Sequence, residues 1–289
     1  MIEPHLAPDL ALAANERLFL YLDGSRFESV LKTIYEIEGS PSLTILYTET
    51  QWEALTPVSP CLIEVNLQSP LLQFLIDHPF ERYGYILIAK DRQLLETQLR
   101  SLLTVSTPSG ENVLLKFADP EVAARLLLAQ RKEFWQAIAQ VWLPSVRQQA
   151  WQHQVSKLSN DNKQQPGGVT LTEHEYRLLG DVSHLNFVQQ LKRYMEKWFA
   201  ARLPQQQEID WIYFWSEHAY QLGFTSQQAQ TLFFAVLGYL GEGFSSAPEY
   251  QLVHQYLSTP SILTPDQRAE KAAELAHGYW LKQNQKEVS

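Results

Sequence analysis

The chain of 289 residues is poor in cysteine and in positive charge, and each shortage argues against a class of protein. Cys61 is the single cysteine, so no intrachain disulfide can form, which is typical of a reducing compartment. The 23 lysines and arginines are outnumbered by 32 acidic residues, and the resulting net charge of −9 is spread over both halves of the chain. A protein without a basic surface is not expected to bind nucleic acid non-specifically or to bind anionic lipid.

Long hydrophobic runs are also missing. Residues 1–15 have neither a cationic start nor a long apolar segment, so we expect no secretory signal. The longest apolar run late in the chain, Leu232–Leu237, is far shorter than the roughly 20 residues of a membrane-spanning helix. Since hydrophobic residues still make up 45% of the composition, the sequence predicts a globular protein that is soluble and cytoplasmic.

Recognisable catalytic and metal-binding motifs are absent from the sequence. Its eight histidines form no His-Glu-x-x-His pair, and with one cysteine a structural zinc site is not expected. No Gly-x-Ser-x-Gly elbow and no phosphate-binding loop occur. Gly238, Gly241 and Gly243 follow a predicted helix rather than a strand, unlike a dinucleotide site. The sequence therefore shows no catalytic signature, and we predict no metal and no cofactor.

A few polar or reactive side chains leave alternatives open. Asp23 and Asp119 end predicted strands, where α/β enzymes often place catalytic carboxylates, but each also stands where it would cap a turn or a helix. Cys61 begins a predicted buried strand, so we expect it to pack as a small hydrophobe rather than act as a nucleophile. His218 lies on the apolar side of a Trp-rich helix and is expected to pack in the core.

The first half of the chain alternates between predicted strands and helices. Apolar runs bounded by turn signals predict five strands, at 17–22, 43–47, 61–65, 85–89 and 112–117. Helices are predicted between them and again over 120–142. This alternation predicts a largely parallel or mixed sheet flanked by helices, in which one edge strand can be antiparallel. We assign residues 1–157 to this α/β lobe.

Beyond the α/β lobe the pattern becomes helical. Residues 158–170 are polar and rich in structure breakers, so they predict a linker. Over 171–289, apolar residues recur at helical spacing after capping boxes such as Thr172–Glu175, and they predict an all-α lobe. Its aromatic residues, including Trp211 and Trp215, fit either a helical core or a hydrophobic groove for a partner.

Motifs within residues 18–128 resemble, in order, the bacterial effector adaptors of the type VI secretion system, the family with the domain of unknown function 4123. Leu20–Gly24 resembles the opening strand and turn of that family, Leu46-Tyr47 its short second motif, and Gly84–Ala89 its Gly-led strand. Val113–Val122 is similar to the most recognisable motif. The family-motif residues are Asp23, Gly24, Tyr47, Gly84, Lys116, Phe117, Asp119 and Pro120.

The match to the family pattern has departures. Lys116 and Glu121 stand where arginine is common, and Ala118 where an aromatic residue is usual, while Gln98 replaces a frequent histidine. These exchanges leave the Asp119-Pro120 turn intact.

The similarity continues more weakly into the helical lobe. Leu240–Phe244 resembles a family element there, which includes Gly241 and Phe244. Together with Trp211 and Trp215, these two residues are our candidates for binding a partner.

The resemblance implies a non-enzymatic cytoplasmic chaperone or adaptor. Such a protein binds a type VI effector and promotes its loading onto the VgrG spike or the PAAR tip, without nucleic acid or membrane insertion. The two-lobe pattern adds the hypothesis that the lobes clamp an apolar segment of the effector. Two alternatives stay open: an immunity protein that binds the toxin domain, and a hydrolase that uses Asp23 and Asp119.

Overall fold

The computed structural model describes residues 4–145, 150–158 and 168–287. The chain divides into two compact units, residues 1–182 and 183–289, and the division falls within one long helix. Every strand that the structure describes belongs to the first unit. Within the predicted linker, residues 159–167 lie outside the described part of the chain, and Val169–Thr170 form a short strand.

A seven-stranded sheet is the centre of the first unit. In spatial order its strands, numbered along the chain, are β1 (Pro4–His5), β9 (Ala150–Val155), β8 (Ile138–Ser145), β5 (Gly84–Ala89), β2 (Arg17–Leu22), β4 (Cys61–Val65) and β3 (Ser42–Ile45). All neighbouring pairs in this sheet are antiparallel. The four strands predicted within residues 17–89 are therefore confirmed, with their ends within two residues.

The prediction of a largely parallel or mixed sheet is wrong, because the helical crossovers skip a strand. β4 and β5 are joined by α2 (Pro70–Asp77) and run in the same direction, since both pair antiparallel with β2 between them. In the same way α1 (Val30–Glu38) joins β2 and β3, which share a direction but are separated by β4. Alternation of strands and helices indicates which strands share a direction, but not which are neighbours.

Helices bury the main sheet on both faces. In β2, Phe19 and Tyr21 belong to one hydrophobic core and the alternating leucines belong to the other, as the period of two in a strand requires. The first core includes buried residues of α3 (Arg92–Ser101) and α4 (Pro120–Leu127). The second core includes buried residues of α1 and α2. The first unit is therefore a three-layer arrangement.

A separate three-stranded sheet contains the segment that we predicted to extend the main sheet. β7 (Asn112–Leu114) pairs antiparallel with β6 (Thr104–Ser106), which pairs parallel with β10 (Val169–Thr170). Leu115 and Phe117, which follow β7, are buried in the first core. The predicted strand 112–117 is therefore shorter than expected and lies in a different sheet.

The continuous helix predicted over 120–142 is also wrong. It divides into α4 and a short helix, α5 (Lys132–Trp135), and the remainder belongs to β8. Most residues of β8 are buried, so its apolar residues form a run without strict alternation. Such a run cannot be distinguished from a buried helix by periodicity alone.

The second unit is helical, as predicted. It contains the end of α6 (Glu173–Phe199), followed by α7 (Glu208–Gln221), α8 (Gln227–Leu240), α9 (Gln251–Ser258) and α10 (Pro265–Glu287). α8 packs against α7 and α10, and its buried residues include Phe233, Phe234 and Val236. In the described parts of the chain, no helix combines the length and the apolar character needed to cross a bilayer.

Capping boxes are present at the starts of the two longest helices, and the one predicted at Thr172–Glu175 is confirmed. At α6, the Glu175 N–H donates to Thr172 Oγ1 at 3.2 Å, and Glu175 Oε2 accepts from the Thr172 N–H at 2.8 Å. At α10, the Gln267 N–H donates to Thr264 Oγ1 at 3.3 Å, and Gln267 accepts from the Thr264 N–H at 3.0 Å. Each box provides partners for backbone donors that the helix itself leaves unpaired.

Candidate functional site

The family-motif residues come from separate chain segments, and the fold brings several of them together in the first unit. Asp23 and Gly24 follow β2, Tyr47 follows β3, and Lys116 and Phe117 follow β7. Four of these five residues line a common cavity of about 180 Å³. The remainder of its wall is formed by Ser25, Leu55, Val58, Pro60, Leu114, Leu115 and Ala118.

Asp119 lies in a buried ionic network beside this cavity. Its side chain is 2% exposed, and its two oxygens accept hydrogen bonds from Arg82 Nη2 and from Arg26 Nη2, the latter at 3.2 Å. The Glu121 N–H donates to Asp119 Oδ1 at 3.0 Å, so Asp119 also caps α4, with Pro120 in the first turn. The predicted Asp-Pro helix start is confirmed, and the carboxylate has additional partners that the motif did not indicate.

The charges around Asp119 keep it ionised. Burial opposes ionisation, but the guanidinium groups of Arg82 and Arg26, with hydrogen bonds from Arg82 and Glu121, outweigh it and lower the pKa of Asp119 below its ordinary value. A carboxylate with a lowered pKa and with both oxygens engaged is a poor general base and a poor nucleophile. Its partners therefore suit Asp119 to holding chain segments together.

Asp23 forms the second half of the network. Its Oδ1 accepts from the Ser25 N–H at 3.0 Å and from the Ser25 hydroxyl at 2.7 Å, which confirms the expected turn cap. Arg26 Nε lies 3.7 Å from Asp23 Oδ2, so Arg26 interacts with both carboxylates of the network. The Asp23 N–H donates to the Tyr83 carbonyl at 2.7 Å, which joins the turn after β2 to the segment before β5.

Gly24 and Gly84 are required by close backbone approach. A Cβ at Gly24 would lie 2.2 Å from the Ser59 carbonyl oxygen, and a Cβ at Gly84 would lie 2.1 Å from the Tyr21 carbonyl oxygen. Any side chain at either position would push the neighbouring backbone away. The two motif glycines therefore allow the segments around the ionic network to pack closely.

Phe117 and Tyr47 form the aromatic part of the cavity. The Tyr85 hydroxyl donates to the Phe117 carbonyl at 2.9 Å, and the two rings meet edge to face with their centroids 6.4 Å apart. Tyr47 is buried, and burial, with a smaller contribution from Asp23, raises its pKa to about 12. Lys116 is exposed and gives the cavity mouth a positive charge.

Reactive groups are scarce in this part of the molecule. Cys61 is buried as expected, and burial raises the pKa of its thiol to about 12, so little thiolate exists at neutral pH. The described residues contain no group of three or more His, Cys, Asp or Glu side chains placed to hold a metal ion. The arrangement offers a largely apolar cavity with a lysine at its mouth, supported by a buried ionic network.

Comparison with known proteins agrees with the motifs. The model of the family described as "Domain of unknown function (DUF4123)" matches residues 18–137. The "Accessory protein VasW" of Vibrio cholerae serotype O1 (strain ATCC 39315 / El Tor Inaba N16961) is 31% identical to this chain over 274 residues, which is 94% of this chain and 92% of the relative. The chain belongs to the DUF4123 family. No solved structure matches it.

The DUF4123 motifs identify Asp119 but not the two arginines that bind it. Lys116 stands where the family usually has arginine, yet Lys116 is exposed and the cations bound to Asp119 are Arg26 and Arg82. The spacing of Asp23 and Arg26 within one turn was a signal for part of the network. Arg82 carried no such signal, because it precedes Asp119 by 37 residues and adopts a left-handed backbone conformation with φ of 57°.

The four partner-binding candidates occupy different environments in the second unit. Trp211 and Trp215 on α7 are partly buried, with ring centroids 6.3 Å apart, and Trp211 Nε1 donates to Glu242 Oε1 at 2.6 Å. Gly241 ends α8 with φ of 79°. Phe244 is 4% exposed and belongs to the hydrophobic core. Trp211 and Trp215 keep some accessible surface, whereas Phe244 supports the core.

Helix α7 presents aromatic side chains for which the sequence left a core role and a partner-binding role open. Its buried residues are Ile212, Ser216 and Ala219, which leaves Phe214 62% exposed and His218 exposed as well. The core role expected for His218 is therefore wrong, and its ring lies parallel to that of Phe214 with centroids 6.5 Å apart. We call Trp211, Phe214, Trp215 and His218 the α7 aromatic surface.

Proposed function

We propose that this protein is an adaptor of the type VI secretion system, which binds an effector in the cytoplasm and promotes its loading onto the VgrG spike or the PAAR tip. The observation that carries the proposal is membership of the DUF4123 family, with 31% identity to a protein named an accessory protein over nearly the full length of both chains. An adaptor acts by holding another protein. It therefore needs exposed binding surface rather than reactive groups.

The state of the two candidate catalytic carboxylates supports a role without catalysis. Asp119 is bound by Arg82 and Arg26, and Asp23 is bound by Ser25 and Arg26. A hydrolase that used either carboxylate would first have to release it from these partners. The network is better suited to fixing the relative positions of the segments around the cavity.

The α7 aromatic surface supports the binding of a protein partner. Aromatic residues are enriched at the centres of protein–protein interfaces, where a few of them supply most of the binding free energy. Phe214 is 62% exposed and contacts Trp215, with ring centroids 5.3 Å apart. We assign the first effector contact to this surface.

The adaptor proposal is tested in the bacterium that encodes the protein. Tagged full-length protein is isolated from cells, and its bound proteins are identified by mass spectrometry. We expect an effector among the bound proteins. When the gene is deleted, we expect secretion of that effector to be lost while other effectors are still secreted. Capture of an isolated toxin domain with unchanged secretion would instead favour an immunity protein, and unchanged secretion of every effector would contradict the adaptor role.

A matched pair of variants tests the α7 aromatic surface. Phe214→Glu is expected to weaken effector capture at least tenfold, because truncation of a central interface aromatic costs about 2 kcal/mol or more. Tyr220→Glu is the control, since Tyr220 is 56% exposed on the same helix but lies about 120° around its axis from Phe214. Equal capture by the two variants in a pull-down would exclude this surface as the effector contact.

A further inference from the structure

We infer that the outer edge of β7 and the cavity at its C-terminal end together bind an extended peptide segment of a partner protein as an added strand. The inference deepens the adaptor proposal and rests on it for the nature of the partner. The segment we expect carries one aliphatic or aromatic side chain for the cavity and an acidic residue close to it in sequence.

The hydrogen bonds of the small sheet show which backbone groups of β7 face outward. The Thr107 N–H donates to the Glu111 carbonyl at 2.7 Å, and the Leu115 N–H donates to the Leu103 carbonyl at 3.0 Å. Residues of an antiparallel pair alternate between facing the partner strand and facing away from it. Asn112 and Leu114 therefore direct their N–H and C=O groups away from β6.

The other side of β6 agrees with this assignment. The Leu171 N–H donates to the Ser106 carbonyl at 2.9 Å, so the backbone of Ser106 faces the β10 side of the sheet. Ser106 lies opposite Asn112 in the register of β6 and β7, so the backbone N–H and C=O groups of both residues point away from the hydrogen bonds that join the two strands. Within the described strands β7 is the end of this sheet, and no hydrogen bond of the described residues reaches the outward groups of Leu114.

At β3, the edge strand of the main sheet, arginine side chains bind polar groups of the edge. Arg100 Nη1 donates to the carbonyls of Leu46 at 2.9 Å and Thr48 at 2.7 Å, and Arg92 Nη1 donates to the Ser42 hydroxyl. Side chains thus occupy polar groups along that edge, as proteins commonly do to prevent edge-to-edge association. β7 has no comparable cover among the described residues, which leaves it available for strand addition.

The cavity is placed and sized to receive one side chain of an added strand. Leu114 belongs both to the free edge and to the cavity wall, so a peptide paired with β7 would run past the opening. The volume of about 180 Å³ exceeds the roughly 150 Å³ of an apolar cavity that holds a benzene molecule. Leu55 and Val58 in the wall are 40% and 42% exposed, so apolar surface there is accessible to an incoming side chain.

The charges at the cavity specify the neighbouring residue of the peptide. Lys116 is exposed in the cavity wall, and the salt bridges of the described residues do not include it. Asp23, the acidic residue in the same wall, is buried and already bound by Ser25 and Arg26. An acidic side chain on the peptide would therefore complement Lys116.

A peptide library tests the site without an identified effector. Full-length protein is used to select from a phage-displayed library of random peptides, and the enriched sequences are synthesised. We expect a common pattern of one Leu, Ile, Met or Phe with an Asp or Glu nearby. Hydrogen exchange should show that such a peptide protects the amides of Leu114 and Lys116.

Two variants with matched controls locate the binding. Leu55→Asp places a charge at the cavity. Leu114→Pro removes an outward N–H without removing a hydrogen bond to β6. Each variant is expected to lower the affinity for the peptide at least tenfold. Leu67→Asp, at a residue 48% exposed outside the cavity wall, and Leu114→Ala, which keeps the N–H, are the controls. Thermal unfolding of each variant verifies that it is folded.

Three results would overturn the inference. The first is enrichment of peptides on the native protein that is no greater than on the Leu55→Asp protein. The second is protection by the peptide of amides elsewhere in the chain instead of Leu114 and Lys116. The third is pairing of β7 between two copies of this protein, which would appear as a concentration-dependent mass that Leu114→Pro abolishes. Failure of effector capture from cells would refute the adaptor role but would leave these peptide measurements standing. The two failures can thus be told apart.

Discussion

Asparagine in place of Asp119 is the most direct test of the buried ionic network. Asparagine keeps the shape of the side chain and is a comparably good helix cap, so the change removes mainly the negative charge. Arg82, which is 6% exposed, would then be buried without the carboxylate that it binds. Breaking a buried pair in this way costs about 3–5 kcal/mol, against about 1 kcal/mol for loss of a helix cap. We therefore expect Asp119→Asn to destabilise the first unit by about 3–5 kcal/mol.

The chain provides a matched control in Glu64. This residue also binds two arginines, Arg17 at 3.4 Å and Arg92 at 3.3 Å, but its side chain is 28% exposed. Pairs that retain solvent contact contribute about 0–1 kcal/mol, so Glu64→Gln should have a small effect. The contrast between the two variants isolates the contribution of burial.

The assay is urea unfolding of the full chain at neutral pH, with the free energy of unfolding taken from the transition of the first unit. Adding Arg82→Met to Asp119→Asn should recover part of the loss, since the second change removes the buried positive charge that Asp119 no longer balances. A loss below about 1 kcal/mol for Asp119→Asn, or one equal to that of Glu64→Gln, would refute the reasoning. Intact stability with loss of a measurable turnover would point to catalysis by Asp119.

Three further predictions follow from the same residues and their surroundings. The difference in unfolding free energy between the native protein and Asp119→Asn should shrink as the pH falls below about 3.9. The carboxyl of Asp119 becomes protonated at that pH in the unfolded chain, whereas in the folded protein its lowered pKa keeps it ionised to lower pH. Urea unfolding at a series of pH values measures this difference. Gly24→Ala should destabilise by about 1–3 kcal/mol through the clash with Ser59, whereas Gly180→Ala, in helix α6 with open space around it, should stabilise by about 0.5–1 kcal/mol in the same assay. Cys61 should react with a thiol reagent only after unfolding, and rapid reaction in the native protein would contradict its burial.

Local features were the most predictable from the sequence. The strand at Arg17–Leu22, the Thr172–Glu175 capping box of α6 and the Asp119-Pro120 start of α4 were each indicated by neighbouring residues, and the structure contains all three. These features depend on hydrogen bonds and periodicity within a few positions. The family was identified from the same kind of short motif, taken in order along the chain.

Features set by distant parts of the chain were not predictable. The neighbours of β2 are decided by packing across the whole sheet, which the alternation of strands and helices does not encode. The strand β8 read as helix because burial removes its alternation. The candidate site was half predicted: its acidic residues lie in motifs, whereas Arg82 reaches Asp119 only through the tertiary fold.

The pairing of β1 with β9 has a consequence for synthesis. His5 pairs with Trp151, 146 positions later, and β8, which covers the open side of β5, is also made late. At about 5–20 residues per second, the ribosome supplies β9 roughly 7–30 seconds after β1, and β8 roughly 3–11 seconds after β5. Until β8 is made, the edge of the apolar strand β5 that pairs with β8 has no neighbouring strand. Expression at lowered temperature, or together with chaperones that bind growing chains, should therefore raise the yield of folded protein.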